Sequence, residues 1–187
     1  MAEFTCPGYT LVDGERLVKN PLRGSMPTNE DEVREEEEFL GELSRYVEAR
    51  LQSDFGMIPI TIPDTDSPAD ARTTVLATAN WTNAQKLLVI MQNSSGSILG
   101  VFSRTLCKKE GLSKGSILPY VARAVSEGYD ILILRPDHPG VVELDPETRR
   151  VISKTPIRGS ESPEIHALYV LENIIPQAEN VRHIALL

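Results

Sequence analysis

With 187 residues, of which 41% are apolar and 25% charged, the chain has the make-up of one ordinary globular domain with a sizeable core, which excludes disorder throughout. A formal charge of -8 disfavours tight, sequence-independent binding of nucleic acid over the whole surface, because such binding depends on Lys and Arg displacing counterions from phosphates. The opening residues, Met-Ala-Glu-Phe-Thr-Cys-Pro, lack the basic flank and apolar core of a secretory signal, and no apolar run is long enough to span a membrane, so an intracellular, soluble protein is expected. Cys6 and Cys107 are too few for a disulfide framework and lack metal-ligand spacing, so both are expected as reduced thiols.

From the amino terminus, residues 9–12 and 15–18 flank Asp13-Gly14, a pair that tolerates the positive φ angles of a tight hairpin turn. An irregular connection follows. Thr28 or Asn29 can then cap a helix whose first turns carry Glu30, Asp31, Glu32 and Glu35 to Glu38, where the helix dipole favours negative charge. Leu40, Leu43, Val47 and Leu51, with Phe39 and Tyr46, form its apolar stripe. The acidic run reads as a solvated helix end rather than a docking face. Residues 57–63 alternate as a strand, and Pro59 and Pro63 suit an edge position or the strand ends. Residues 73–78 make another strand, and Trp81 is expected as a packed anchor.

The clearest winding signal lies further on. Residues 86–92 and 130–136 are short apolar runs rich in branched aliphatics, and each reads as a buried strand. Between them Ile117, Leu118, Val121, Ala122 and Val125 recur at helical spacing, with Gly128 placed as a left-handed cap. Strand, crossover helix and strand predict a parallel pair with a right-handed connection. Residues 92–100 leave the carboxyl end of the first strand, where open α/β sheets place ligands, but Gly96 and Gly100 lack the spacing of a phosphate cradle. An ordinary polar turn is expected there. Residues 137–161 read as a surface excursion carrying a short hairpin. Ser162-Pro163-Glu164 opens a helix whose expected buried face is Ala167, Leu168, Leu171, Ile174 and Ile175, with Pro176 halting it. Residues 181–187 begin a further strand, and a carboxylate directly after its apolar tip places that strand at an edge or leaves it without a normal continuation.

Gly8-Tyr9 with Asp13-Gly14, then residues 82–90 (Thr-Asn-Ala-Gln-Lys-Leu-Leu-Val-Ile), 119–134 (Pro-Tyr-Val-Ala-Arg-Ala-Val-Ser-Glu-Gly-Tyr-Asp-Ile-Leu-Ile-Leu) and 162–170 (Ser-Pro-Glu-Ile-His-Ala-Leu-Tyr-Val) resemble, in order, the Argonaute-binding-protein (Arb) domain family, which includes animal cotranscriptional regulators and a domain appended to some fungal histone deacetylases. The resemblance implies an α/β-hydrolase-like sheet in a nuclear protein linked to small-RNA-guided heterochromatin. In that family a turn like a nucleophile elbow follows the strand matching residues 181–187, and this chain ends before it. At Gln92-Asn93 animal relatives tend to carry His-Gly; Asn93 weakens any role of the backbone there in approaching an oxyanion.

The expected fold class is α/β: a mainly parallel sheet with flanking helices, an incomplete hydrolase-like fold and a small amino-terminal hairpin. Residues 1–29 would form the hairpin and connection, and 30–187 the Arb-type domain. The expected function is that of a noncatalytic nuclear adaptor in small-RNA-directed gene silencing, with some presence in the cytoplasm. Its implied partners are proteins, such as Argonaute or chromatin factors, and small RNA, with no membrane and no cofactor. The alternatives are an esterase-like serine hydrolase whose nucleophile is missing from this chain, and a nonfunctional truncated paralogue. No catalytic or metal residues are assigned, because Ser94, Ser95 and Ser97 read as loop hydroxyls, and Glu164 and His166, two apart on a helix, point in different directions. His138 and His183 read as surface or packing residues. Gln92, Asn93, Ser94, Ser95, Ser162, Glu164 and His166 form the candidate interaction or vestigial site.

Overall fold

The computed structural model describes residues 3–6, 8–20, 29–63, 71–92, 98–136, 140–145 and 151–187. The chain divides into two compact units, Met1–Gly56 with Ser97–Arg123, and Met57–Gly96 with Ala124–Leu187.

In the first unit, strands β1 (Tyr9–Val12) and β2 (Arg16–Lys19) form the expected antiparallel hairpin. Asp13 and Gly14 take φ of 56° and 66°, and the Glu15 N–H donates to the Val12 carbonyl at 3.1 Å. The ladder resumes at Arg16, so Glu15 stands outside it. That freed residue fastens the hairpin to a neighbour: its carbonyl accepts the Leu112 N–H at 2.9 Å and its carboxylate accepts the Ser113 N–H at 2.6 Å. Both donors open the short helix α3 (Leu112–Gly115), whose first amides have no partner within the helix.

Helix α1 (Asn29–Phe55) buries Phe39, Leu43, Tyr46, Val47 and Leu51, the spacing of one apolar face. The Phe4 ring meets Phe39 and Tyr46 edge-on, with centroids at 6.4 and 5.9 Å. The acidic run is tied within the unit: Glu35 pairs with Lys19 at 3.6 Å, and Glu36 pairs with Lys108. Lys108 comes from helix α2 (Arg104–Glu110), and its ammonium also lies 4.4 Å from the Phe39 ring centre and 5.2 Å from that of Tyr9.

The second unit holds a five-stranded sheet in the order β3 (Met57–Ile62), β4 (Thr73–Thr78), β6 (Asp130–Ile133), β5 (Lys86–Ile90), β9 (His183–Leu186). The pairs β6–β5 and β5–β9 are parallel, whereas β3–β4 and β4–β6 are antiparallel. The expected mainly parallel sheet is therefore corrected to a mixed one. For β3 and β4 the reason is the length of the connection: a parallel crossover takes about a dozen residues or more, and only residues 63–72 separate these strands. Between β5 and β6 runs helix α4 (Leu118–Ser126), ended as expected at Gly128. Gly128 adopts φ of 78°, its N–H donates to Val125, and the Tyr129 N–H reaches Ala124, the paired bonds of a left-handed cap. The buried stripe of α4 is Leu118, Val121 and Ala124 rather than Ala122 and Val125.

One face of the sheet, through Val75, Ala77, Leu87, Val89 and Leu132, packs with Val170, Ile174 and Ala178, and Trp81 joins this cluster as an anchor. Helix α5 (Pro163–Tyr169) continues as a π turn (Val170–Ile174) and a 3₁₀ turn (Ile175–Gln177), which Ala178 directly follows. Strands β7 (Gly140–Leu144) and β8 (Val151–Pro156) form a separate antiparallel hairpin, as expected of the surface excursion. No helix among the described residues is long and apolar enough to cross a membrane.

Candidate functional site

Beyond the carboxyl end of β6, Leu134 and Arg135 continue toward α5. The His166 ring, fully buried, meets them there. Its Nε2 accepts the Arg135 backbone N–H at 3.1 Å. A backbone amide can only donate, so the ring proton resides on Nδ1, which faces Ser160 Oγ at 2.9 Å. Burial holds the imidazole neutral, lowering its pKa to about 4. Arg135 is also held through its side chain, which donates to Thr74 Oγ1 at 3.4 Å.

A serine beside a histidine invites comparison with an acyl-transfer dyad, but the protons are arranged the other way. Activation of a hydroxyl requires an imidazole nitrogen free to accept its proton. Here the accepting nitrogen is occupied by Arg135, and the nitrogen facing Ser160 already carries a proton. Ser160 is itself fully buried. The trio Arg135, Ser160 and His166 ties the end of β6 to the turn before α5 and to α5 itself.

The other sequence candidates are not drawn into this trio. Ser162 caps α5, its Oγ accepting the Ile165 N–H at 3.3 Å and donating to Glu164 at 2.7 Å. That hydrogen bond from Ser162 holds the exposed Glu164 carboxyl below the usual range. Glu164 thus serves the helix start, while His166 points inward, as their spacing requires. Gln92 is buried two residues past β5, and Asn93, Ser94, Ser95 and Ser97 lie outside the described residues. His183 begins β9 with its ring edge-on to Tyr129 at 5.7 Å. Among the described residues, no three His, Cys, Asp or Glu side chains are grouped to hold a metal ion. Sequence reasoning missed Ser160 and Arg135, since neither belongs to a motif. The one available signal was a histidine on the turn where the helix begins.

Comparison with known proteins gives a family match over most of the chain: the model described as the Arb2 domain covers residues 25–187. The chain is 27% identical over 195 residues to the cotranscriptional regulator ARB2A of Mus musculus, covering 79% of this chain and 46% of that protein. Identity to the Homo sapiens protein of the same name is 26% over 194 residues, with the same coverage. A homolog of that regulator in Dictyostelium discoideum is 38% identical over 56 residues, or 30% of this chain and 14% of its own length. The chain thus spans about half the length of the mouse and human relatives.

Proposed function

The chain belongs to the Arb2 domain family, and from that premise we propose that it acts as a noncatalytic adaptor in cotranscriptional regulation, working in the nucleus through protein contacts. The observation that carries the noncatalytic part is the locked His166: its accepting nitrogen is spent on a backbone amide and its proton is directed at a buried serine. The regulatory part is supported by the names of the relatives, which describe regulators of transcription-coupled events. Within this reading the sheet corresponds to the amino-terminal portion of a hydrolase-like fold, and the chain serves small-RNA-directed silencing beside Argonaute or chromatin factors. Those finer statements follow the resemblance of residues 82–90, 119–134 and 162–170.

Two measurements test it together. The purified chain treated with a fluorophosphonate probe is expected to remain unlabelled, and the same chain tethered to a reporter gene is expected to change the yield of nascent transcript. Labelling of Ser94, Ser95, Ser97 or Ser160, with ester turnover lost on its replacement by Ala, would establish a serine hydrolase instead. A tethered chain that leaves nascent transcript unchanged removes the regulatory reading.

A further inference from the structure

A second, unassigned feature lies beside β3 in the sheet unit. A half-open cavity of about 500 Å³ is bounded by Ile60, Arg72, Tyr169, Asn173, Ile174 and Gln177, within the size range of small-molecule sites. Its polar character has a definite sign. The Asn173 side-chain amide donates to the Tyr169 carbonyl at 3.0 Å, and that of Gln177 donates to the Asn173 carbonyl at 2.8 Å. A carbonyl cannot donate, so these bonds fix which end of each carboxamide is which, with Asn173 Oδ1 and Gln177 Oε1 as the acceptor ends that these two bonds do not use. The Tyr169 ring packs against Gly159, occupying the space where a side chain there would stand, and Gly159 itself has φ of 81°. The cavity lining therefore combines an aromatic ring, two carboxamides whose amide ends are already engaged, aliphatic side chains and one arginine.

We propose that this cavity is a binding site for a mononucleotide whose base carries an exocyclic amino group. A planar base stacks on Tyr169, its amino group donates to Asn173 Oδ1 and Gln177 Oε1, and Arg72 supplies positive charge for the phosphate. A carbonyl in place of that amino group sets acceptor against acceptor and is rejected. The overall charge of -8 favours a free nucleotide over a nucleic-acid strand, which would bring a row of phosphates against an acidic protein. The site is independent of the adaptor reading, and neither stands or falls with the other.

CMP and UMP test the claim, since they share sugar and phosphate and differ at one edge of the ring, where cytosine has an amino donor beside a bare N3 and uracil a carbonyl beside N3–H. Calorimetric titration of the full chain is expected to show CMP binding at least about tenfold tighter than UMP. Asn173→Leu and Gln177→Leu should each weaken CMP about tenfold while leaving UMP unchanged, and Tyr169→Leu should weaken both. Circular dichroism and thermal melting of each variant separate loss of binding from loss of fold. A short cytidine oligonucleotide is expected to bind no better than CMP; tighter binding of the oligonucleotide overturns the assignment to a free nucleotide. No binding of CMP at millimolar concentration overturns the proposal. So does equal affinity for CMP and UMP, or a folded Asn173→Leu variant with unchanged preference.

Discussion

His166 shows how one side chain can carry both a fold and the limits of its chemistry. Removing the ring would take from the Arg135 N–H and from the buried Ser160 hydroxyl the hydrogen bond that each makes with it. Its protonation is equally disruptive, since Nε2 cannot hold a proton and still accept from Arg135. The folded pKa of about 4 lies below the ordinary 6.5, so the unfolded chain binds a proton first as pH falls. Stability is thus unaffected by this group above about pH 6.5 and lost between there and about pH 4, by roughly 3 kcal/mol in all. Urea unfolding at a series of pH values is expected to show that decline, and His166→Gln should flatten it. A decline of equal size in a folded His166→Gln protein would assign the effect elsewhere. The sequence placed His166 near a helix start but could not see that its ring turns inward, because Ser160 and Arg135 meet it only after β6 and α5 have packed.

At the scale of elements, local chemistry set the ends and packing set the faces. Ser162 and Gly128 act as read, one capping α5 and the other closing α4, because each depends only on neighbouring backbone. The buried face of the last helical segment differs from expectation in part: Ala167, Ile174 and Ile175 meet the core as read, whereas Leu168 and Leu171 are about half exposed and His166 and Val170 turn inward instead. His166, Val170 and Ile174 are each four apart, so they share one helical face, and the π turn over Val170–Ile174 carries that face on from α5. Helices α2 and α3 supply a sharper case. A side chain at Gly115 would fall on Cys107, and would stand 2.7 Å from the Ser103 carbonyl, so the two short helices meet through a glycine. Cys107 is fully covered there, and burial pushes its thiol up to about 11. Iodoacetamide at mildly alkaline pH is expected to spare Cys107 in the native protein and alkylate it after denaturation. Gly115→Ala should open the contact and make it reactive without denaturant; equal native protection in that variant would remove the packing explanation.

Across the whole molecule, the sheet decides where contacts with other chains can form. Among the described strands β9 lies at one edge, and Ile184, Leu186 and Leu187 are 46%, 61% and 43% exposed. An exposed apolar edge offers unpaired backbone groups beside sticky side chains. We expect the isolated chain to self-associate as concentration rises, measured by sedimentation velocity, and Leu186→Lys to reduce it. A strictly monomeric chain across the accessible range would count against this. The opposite edge, β3, is blunted by Pro59, which has no N–H to offer a neighbouring strand.

The sequence by itself determined the strands at residues 86–90 and 130–133, the hairpin turn at Asp13-Gly14, the caps, and the anchoring of Trp81, and its ordered blocks pointed to the family. These are short-range matters of φ angles, capping bonds and apolar runs, each written in adjacent residues. Only the tertiary structure decided that β3 and β4 run antiparallel, that Glu15 leaves its ladder to hold α3, that His166 is locked between Arg135 and Ser160, and that Ile60 and Arg72 line one cavity with Tyr169, Asn173 and Gln177. Each of those depends on which distant backbone groups arrive beside a side chain, and no local pattern encodes that partner.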